Sequence, residues 1–341
     1  MIMEQVNRNR KTRAVAVMAA LGILIVLAFF VSMNAGVIRM SPADVLRTLA
    51  GFGTDKQQLI LFEFRLPRIV ISLLIGIGLA VSGCILQSLT RNALADPGIL
   101  GINAGAGLVV ILFVAFYPDN AAAPVFLIPF LALVGAGGTA FLIYALAFKK
   151  RDGLAPIRLV LAGIGVSAGI VSATLVLTIR LEPADYQFVT RWLAGTIWGT
   201  NWKYVFALLP WLLVWLPAVF FKSRTLNILH LETNAAVGLG VRLNKERLFL
   251  LAAAVALAGA CVAAGGSIGF VGLIAPHMAR RLVGPQHQYL LPASALTGAL
   301  LVIVSDTVAR SVVPQTEIPT GIVVAVLGAP YFLYLLGKSR A

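Results

Sequence analysis

The residues of this 341-residue chain that could do chemistry are few. Of its 13 Asp and Glu residues, only Asp306 falls inside a long apolar run, near one end of it and four positions before Arg310. On a helix that spacing puts both side chains on one face, where they make an ion pair. The three histidines, His230, His277 and His287, have no metal-ligand spacing. Cys84 and Cys261 sit in apolar runs, where a thiol packs as a small apolar group. Two segments imitate nucleotide motifs. LLGKS at 335–339 ends like a phosphate-binding loop, but Phe332 stands where that loop needs glycine, and no strand pattern precedes it. GIGVSA at 163–168 echoes a dinucleotide fingerprint without the flanking strand. The sequence therefore offers no catalytic centre, no cofactor or metal site and no nucleotide site. Any work must draw on a partner or an ion gradient.

The elements that must position these residues are set by hydropathy. The chain is 60% hydrophobic and 12% charged, with a mean hydropathy of +0.94. Soluble domains are about half apolar and about a quarter charged, so this is an all-α polytopic membrane protein. A crossing helix needs about 20 apolar residues. Ten runs qualify, at 14–33, 66–89, 99–117, 123–148, 158–179, 203–221, 247–264, 268–283, 288–307 and 320–337. The run after RNRKTR (8–13) is longer than a signal-peptide core of about 7–15 residues, and is expected to be retained as the first span. The net charge of +14 marks cytoplasmic loops and does not imply nucleic acid. With the amino terminus inside, Lys and Arg favour the inner segments by roughly two to one, which places both termini in the cytoplasm. That leaves outer arginines, Arg65, Arg68 and Arg310 among them, with no topological reason to be there. A gradient-driven carrier needs ionisable groups deep in the bilayer, and Asp306 has no second carboxylate with which to form a relay.

Between the runs, SPADVLRTLAGF (41–52) reads as a short interfacial helix, with Ser41 as cap, Pro42 at the first position and Val45, Leu46 and Leu49 on one face. The aromatic-rich stretch 181–202 suits a headgroup boundary. The longest inner segment, 222–246, is amphipathic: Leu226, Leu229, Ala236 and Leu239 share a face, and Gly238 and Gly240 permit a turn between two short helices. Small residues at Gly101/Gly105, Gly165/Gly169 and Gly135/Thr139 allow close helix packing. Gly265 to Gly272 breaks the chain between the seventh and eighth runs. RIVISLLIGIGLAVSGC (68–84) loosely matches RLFLLAAAVALAGAC (247–261), and because the two run in opposite directions the halves are inverted-repeat-like.

Four blocks carry a resemblance: FRLPR (64–68), GLAVSGCILQSLTRNALADPGILGINAGAG (78–107), TLNILHLETNAAVGLGV (225–241) and most of 265–336. Through them the chain resembles the FecCD family, permease subunits of ABC importers for iron–siderophores, haem and cobalamin. It departs from the family at Ala93, where proline is usual, and at Glu232-Thr233, where Gly-Glu is usual. The resemblance implies a pore of two permease subunits, identical or sibling, with two ABC ATPase subunits beneath and an extracytoplasmic substrate-binding protein above, in a prokaryotic cell membrane. It implies that Arg65, Arg68 and Arg310 dock that binding protein's glutamates. It implies that Leu226, Leu229, Leu231, Ala236, Leu239, Gly240 and Val241 couple to the ATPase. The spans at 158–179 and 320–337 would line the pore, and His277 would be structural. An iron–siderophore is the expected cargo, ahead of haem or cobalamin, and a gradient-driven carrier is the reading from another class.

Overall fold

In hydrocarbon a backbone amide finds its partner within its own segment, so long apolar runs become helices. The computed structural model describes residues 2–35, 40–98, 100–117, 124, 126–149, 153–197, 199–229, 238, 241–313 and 317–338. In chain order its elements are α1 Ile2–Asn34, α2 Pro42–Leu49, α3 Asp55–Gln58, a π-helical segment Leu59–Arg65, α4 Leu66–Thr90, α5 Ile102–Phe116 and α6 Leu127–Ala147. The strands β1 Phe148–Lys149 and β2 Gly153–Leu154 follow, then α7 Pro156–Thr178, α8 Pro183–Leu193, α9 Trp202–Phe221 and α10 Ser223–Leu229. The chain ends with α11 Leu243–Gly265, α12 Val271–Val283, α13 His287–Ser311 and α14 Thr320–Lys338. Each of the ten apolar runs contains a helix, and among the described residues seven helices are long and apolar enough to cross a membrane. The short basic segment after α6 holds an antiparallel strand pair, Phe148 opposite Leu154.

The cap on α2 forms as its sequence dictates: the Ser41 hydroxyl accepts from Asp44 N–H, and the Asp44 carboxylate answers the Ser41 N–H. The face that packs differs from the expected one. Val45 and Thr48 are buried, whereas Leu46 and Leu49 are exposed, as an interfacial helix allows when lipid covers its outer side.

Helix α4 is the axis of the bundle, buried along nearly its whole length. Glycine sets how closely its neighbours approach. A Cβ at Gly76 would strike the Gly298 carbonyl, and one at Gly83 would strike the backbone of Gly272. Gly78 lies against Leu257 and Cys261, and the Ser82 hydroxyl donates to the Ala254 carbonyl at 2.7 Å. Positions rise along α4 as they fall along α11, so the two segments that match in sequence pack antiparallel. The expected small-residue contact of α5 with α6 is present, with Gly105 against Gly135 and Thr139. Gly165 and Gly169, on α7, face open space instead.

Three helix breaks meet at one point. Gly195 and Gly266 have φ of +79° and +69°. A side chain at Gly266 would collide with the Trp192 carbonyl, and one at Gly321 with the Ala194 carbonyl. Gly321 N–H donates to the Gly195 carbonyl at 2.9 Å. Non-helical backbone at membrane depth is tolerated where other backbone supplies its partners in this way.

Candidate functional site

The arginines singled out in the sequence stand together where α1, α4, α13 and α14 meet. Pro67, in the first turn of α4, has no N–H, and just before it the helix widens. Leu66 N–H reaches back to the Leu61 carbonyl, which leaves the Phe62 carbonyl without a helical donor. The indole N–H of Trp202 takes that place at 2.8 Å. The wide turn carries Arg65 and Arg68 inward together.

Both side chains are buried, at 6% and 8% exposure, as is Arg310 at 8%. Arg68 straddles the carboxylate of Asp306, with Nε at 3.1 Å and Nη2 at 2.9 Å from Oδ1. Its Nη1 donates to Glu317 Oε2 at 2.8 Å. Arg310 Nε lies 3.1 Å from Asp306 Oδ2, so the pair expected from the i, i+4 spacing is made. Thr320 Oγ1 donates to Asp306 Oδ1 at 3.0 Å. Arg310 Nη2 donates to the Ser32 hydroxyl at 2.6 Å, and Arg65 Nη1 donates to the Met33 carbonyl. One carboxylate, itself 1% exposed, thus holds two guanidiniums and a hydroxyl from three helices, and the arginines reach on to α1.

In this structure the guanidiniums of Arg65, Arg68 and Arg310, expected to dock a binding protein, are turned inward onto partners of their own chain. Ser32, Thr320 and Trp202 were not singled out from the sequence. Asp306 was the available signal, as the carboxylate inside an apolar run.

At the opposite end of α4 lies the segment expected to couple to an ATPase. Leu226 and Leu229 are buried at 0% and 2%, in the core beneath α10, which packs on α4, α9 and α13. Their burial holds α10 to its own bundle. The outward side of α10 is Arg224, with Thr225 and Ile228 partly exposed, and Val241 is also partly exposed. Leu231, Ala236, Leu239 and Gly240, with His230, lie outside the described residues.

Several helices expose apolar faces, α1, α6 and α9 among them, and two of these faces were expected to line the pore. On α7 these are Ile157, Leu161, Ile164, Val171 and Leu175; on α14 they are Ile322, Val326, Leu327 and Leu333. His277 Nδ1 lies 2.9 Å from the hydroxyl of Tyr331 and ties α12 to α14. Among the described residues no group of three His, Cys, Asp or Glu side chains could hold a metal ion.

Known proteins resemble this chain along nearly its whole length. The iron(3+)-hydroxamate import system permease protein FhuG of Bacillus subtilis is 50% identical over 337 residues, covering 98% of this chain and all of that one. The achromobactin transport system permease protein CbrC of Dickeya dadantii is 40% identical, covering 94% and 91%. A solved metal-chelate-type ABC transporter in an inward-facing conformation superposes with a TM-score of 0.81 at 30% identity, covering 95% of this chain and 99% of that one. The profile of the FecCD transport family matches residues 24–338, and the chain belongs to that family.

Proposed function

We propose that this chain is the membrane-spanning subunit of an ATP-binding-cassette importer that carries an iron–siderophore complex, of the ferric hydroxamate class, into a prokaryotic cell. The observation that carries this reading is the end-to-end 50% identity to an iron(3+)-hydroxamate permease. Two separate ATPase subunits drive it from the cytoplasmic side, a substrate-binding protein delivers the complex from outside, and a second permease subunit completes the pore. The exposed apolar faces of α7 and α14 are the surfaces that meet that second subunit and the cargo. A pre-chelated metal needs a smooth passage and not metal ligands, which is consistent with apolar and small side chains on these faces.

The outer arginine cluster is the frame beneath the docking surface. It fixes α4, α13 and α14 in register, and its excess of positive charge steers acidic residues of the binding protein during encounter. The segment 222–246 contacts the ATPase through the outward side of α10 and the residues after it, Leu231, Ala236, Leu239, Gly240 and Val241 included.

The test is uptake of radioiron as a ferric hydroxamate by cells whose only permease is this chain, with its partner subunits. Uptake that needs the binding protein and stops with vanadate is expected. Uptake by the chain alone in vesicles carrying only an ion gradient would overturn the proposal.

A further inference from the structure

Helices α4 and α13 are fastened to one another along their length. Arg68 meets Asp306 at one end, Gly76 and Gly298 bring the backbones together in between, and Ser88 meets His287 at the other end. From Arg68 to Ser88 is about 30 Å of helix at about 1.5 Å per residue, the thickness of the hydrocarbon layer. Sliding or rotation of one helix against the other would break a buried polar contact at each end.

The end at His287 also holds α10. The imidazole is completely buried. Asn227 Oδ1, on α10, lies 2.9 Å from His287 N and 2.8 Å from His287 Nδ1. A backbone N–H can only donate, so this Asn227 atom is the amide oxygen, and Nδ1 must carry a hydrogen to face it. In the neutral ring Nε2 is then an acceptor, and the Ser88 hydroxyl, 2.6 Å from it, has one hydrogen to share between Nε2 and the Cys84 carbonyl at 2.9 Å. The Asn227 amide nitrogen is taken by Gln288 Oε1 at 2.9 Å. Beside this chain of contacts, Arg91 Nε and Nη2 donate to the Leu229 carbonyl at 3.3 and 3.1 Å. A helix of seven residues is marginal by itself, and Leu226 and Leu229 would hold it to the bundle by burial alone. Burial is not directional. The contacts through Asn227 and Leu229 fix where along α4 and α13 the helix sits and how it is turned.

We propose that Asn227, His287 and Ser88 form a positioning joint that makes α10 move with the α4–α13 pair. The pair then transmits ATP-driven displacement from the cytoplasmic segment to the arginine cluster, and through Glu317 and Thr320 to α14. His287 is a positioning residue: it acts through Asn227 and touches neither cargo nor nucleotide. This rests on the reading of 222–246 as the ATPase-contacting segment.

The experiment measures ATP hydrolysed per siderophore imported, in proteoliposomes holding the complete transporter with its binding protein. Asn227→Leu removes the acceptor, and the ratio is expected to rise about tenfold, a coupling change within the range usual between linked sites. Asn227→Asp keeps the acceptor and is expected to stay within about twofold of wild type. A role in packing alone would lower the yield of both variants and leave the ratio unchanged in what assembles. An unchanged ratio in Asn227→Leu overturns the joint. Should that variant fail to assemble with the ATPase, Ser88→Ala, which deletes one hydroxyl within α4, is read in the same way, and an unchanged ratio there overturns it equally. A wild-type assembly that imports nothing in response to the binding protein would instead sink the underlying reading, whatever the variants do.

Discussion

Asp306 carries more of the structure than any other single carboxylate. It is buried beside Arg68 and Arg310, and taking charges out of water is costly unless each is paired. Removing one member of such a group leaves the others uncompensated, at about 3–5 kcal/mol. Asp306→Asn is therefore expected to lose most of the folded protein in detergent, read as a fall in melting temperature and in the monodisperse fraction. Glu317, a third exposed, should cost far less when changed to Gln. Asp96, in the turn between α4 and α5, behaves differently. Its carboxylate accepts from Gly98 N–H at 2.8 Å and from Leu273 N–H, while desolvation by partial burial pushes its pKa up to about 6. A raised carboxyl pKa means the folded chain holds its proton more tightly than the unfolded one. The associated stability is present below about pH 4 and is lost as pH rises through about 6, with a total on the order of 3 kcal/mol. Asp96→Asn keeps an acceptor for Gly98 and removes the titration. Its melting temperature should exceed wild type at pH 8 and approach it at pH 5; a parallel pair of pH curves would refute this.

The helices themselves were plain in the sequence, because twenty apolar residues in a row have few other fates. The cap at Ser41 and the break at Gly265 to Gly272 were equally open to reading, being local chemistry of a few neighbouring residues. Beyond the Asp306–Arg310 pair, what the arginines do was not open to reading. Arg68 and Asp306 are 238 positions apart, and nothing in either segment names the other. The same holds for Leu226 and Leu229: an amphipathic face announces that it will be covered, not which protein covers it. The π-helical turn was also hidden, since Pro67 warns of a disturbance without saying that Trp202 will complete it. Glycines divide along similar lines. Gly298→Val would drive a side chain into the Gly76 carbonyl and should cost about 1–3 kcal/mol or more, separating α4 from α13. A Cβ at Gly165 would meet no atom within 4 Å, and Gly165→Val should leave stability within about 0.5 kcal/mol. Melting curves of the two variants, measured side by side, check the contrast.

At the scale of the whole molecule, large apolar side chains cover the outside of several helices, α1 and α6 included, and the face on α7 and α14 is the one assigned to a second permease subunit. Cys84 and Cys261 are free and fully buried, so neither should react in the folded protein. A single Val326→Cys substitution, at a position 65% exposed, should then give a clean signal. Oxidation in native membranes is expected to yield a crosslinked species of permease-dimer mass when the partner is a second copy or a sibling bearing the matching cysteine. Leu24→Cys, on the exposed side of α1, should yield none, and crosslinking of equal strength from both positions would remove the assignment of the face.

The wide turn before Pro67 also bears on how this chain can change length over evolutionary time. Each residue added to or removed from a helix turns everything beyond it by about 100°. A deletion within α4 would throw Arg68 out of phase with Ser88, and both have buried partners on α13. A deletion between Leu59 and Phe64 falls where the helix already holds surplus residues per turn, and relaxation to ordinary α-helical winding can absorb it. Among relatives of this protein, single-residue gaps along the second crossing should gather in that turn and be absent between Arg68 and Ser88.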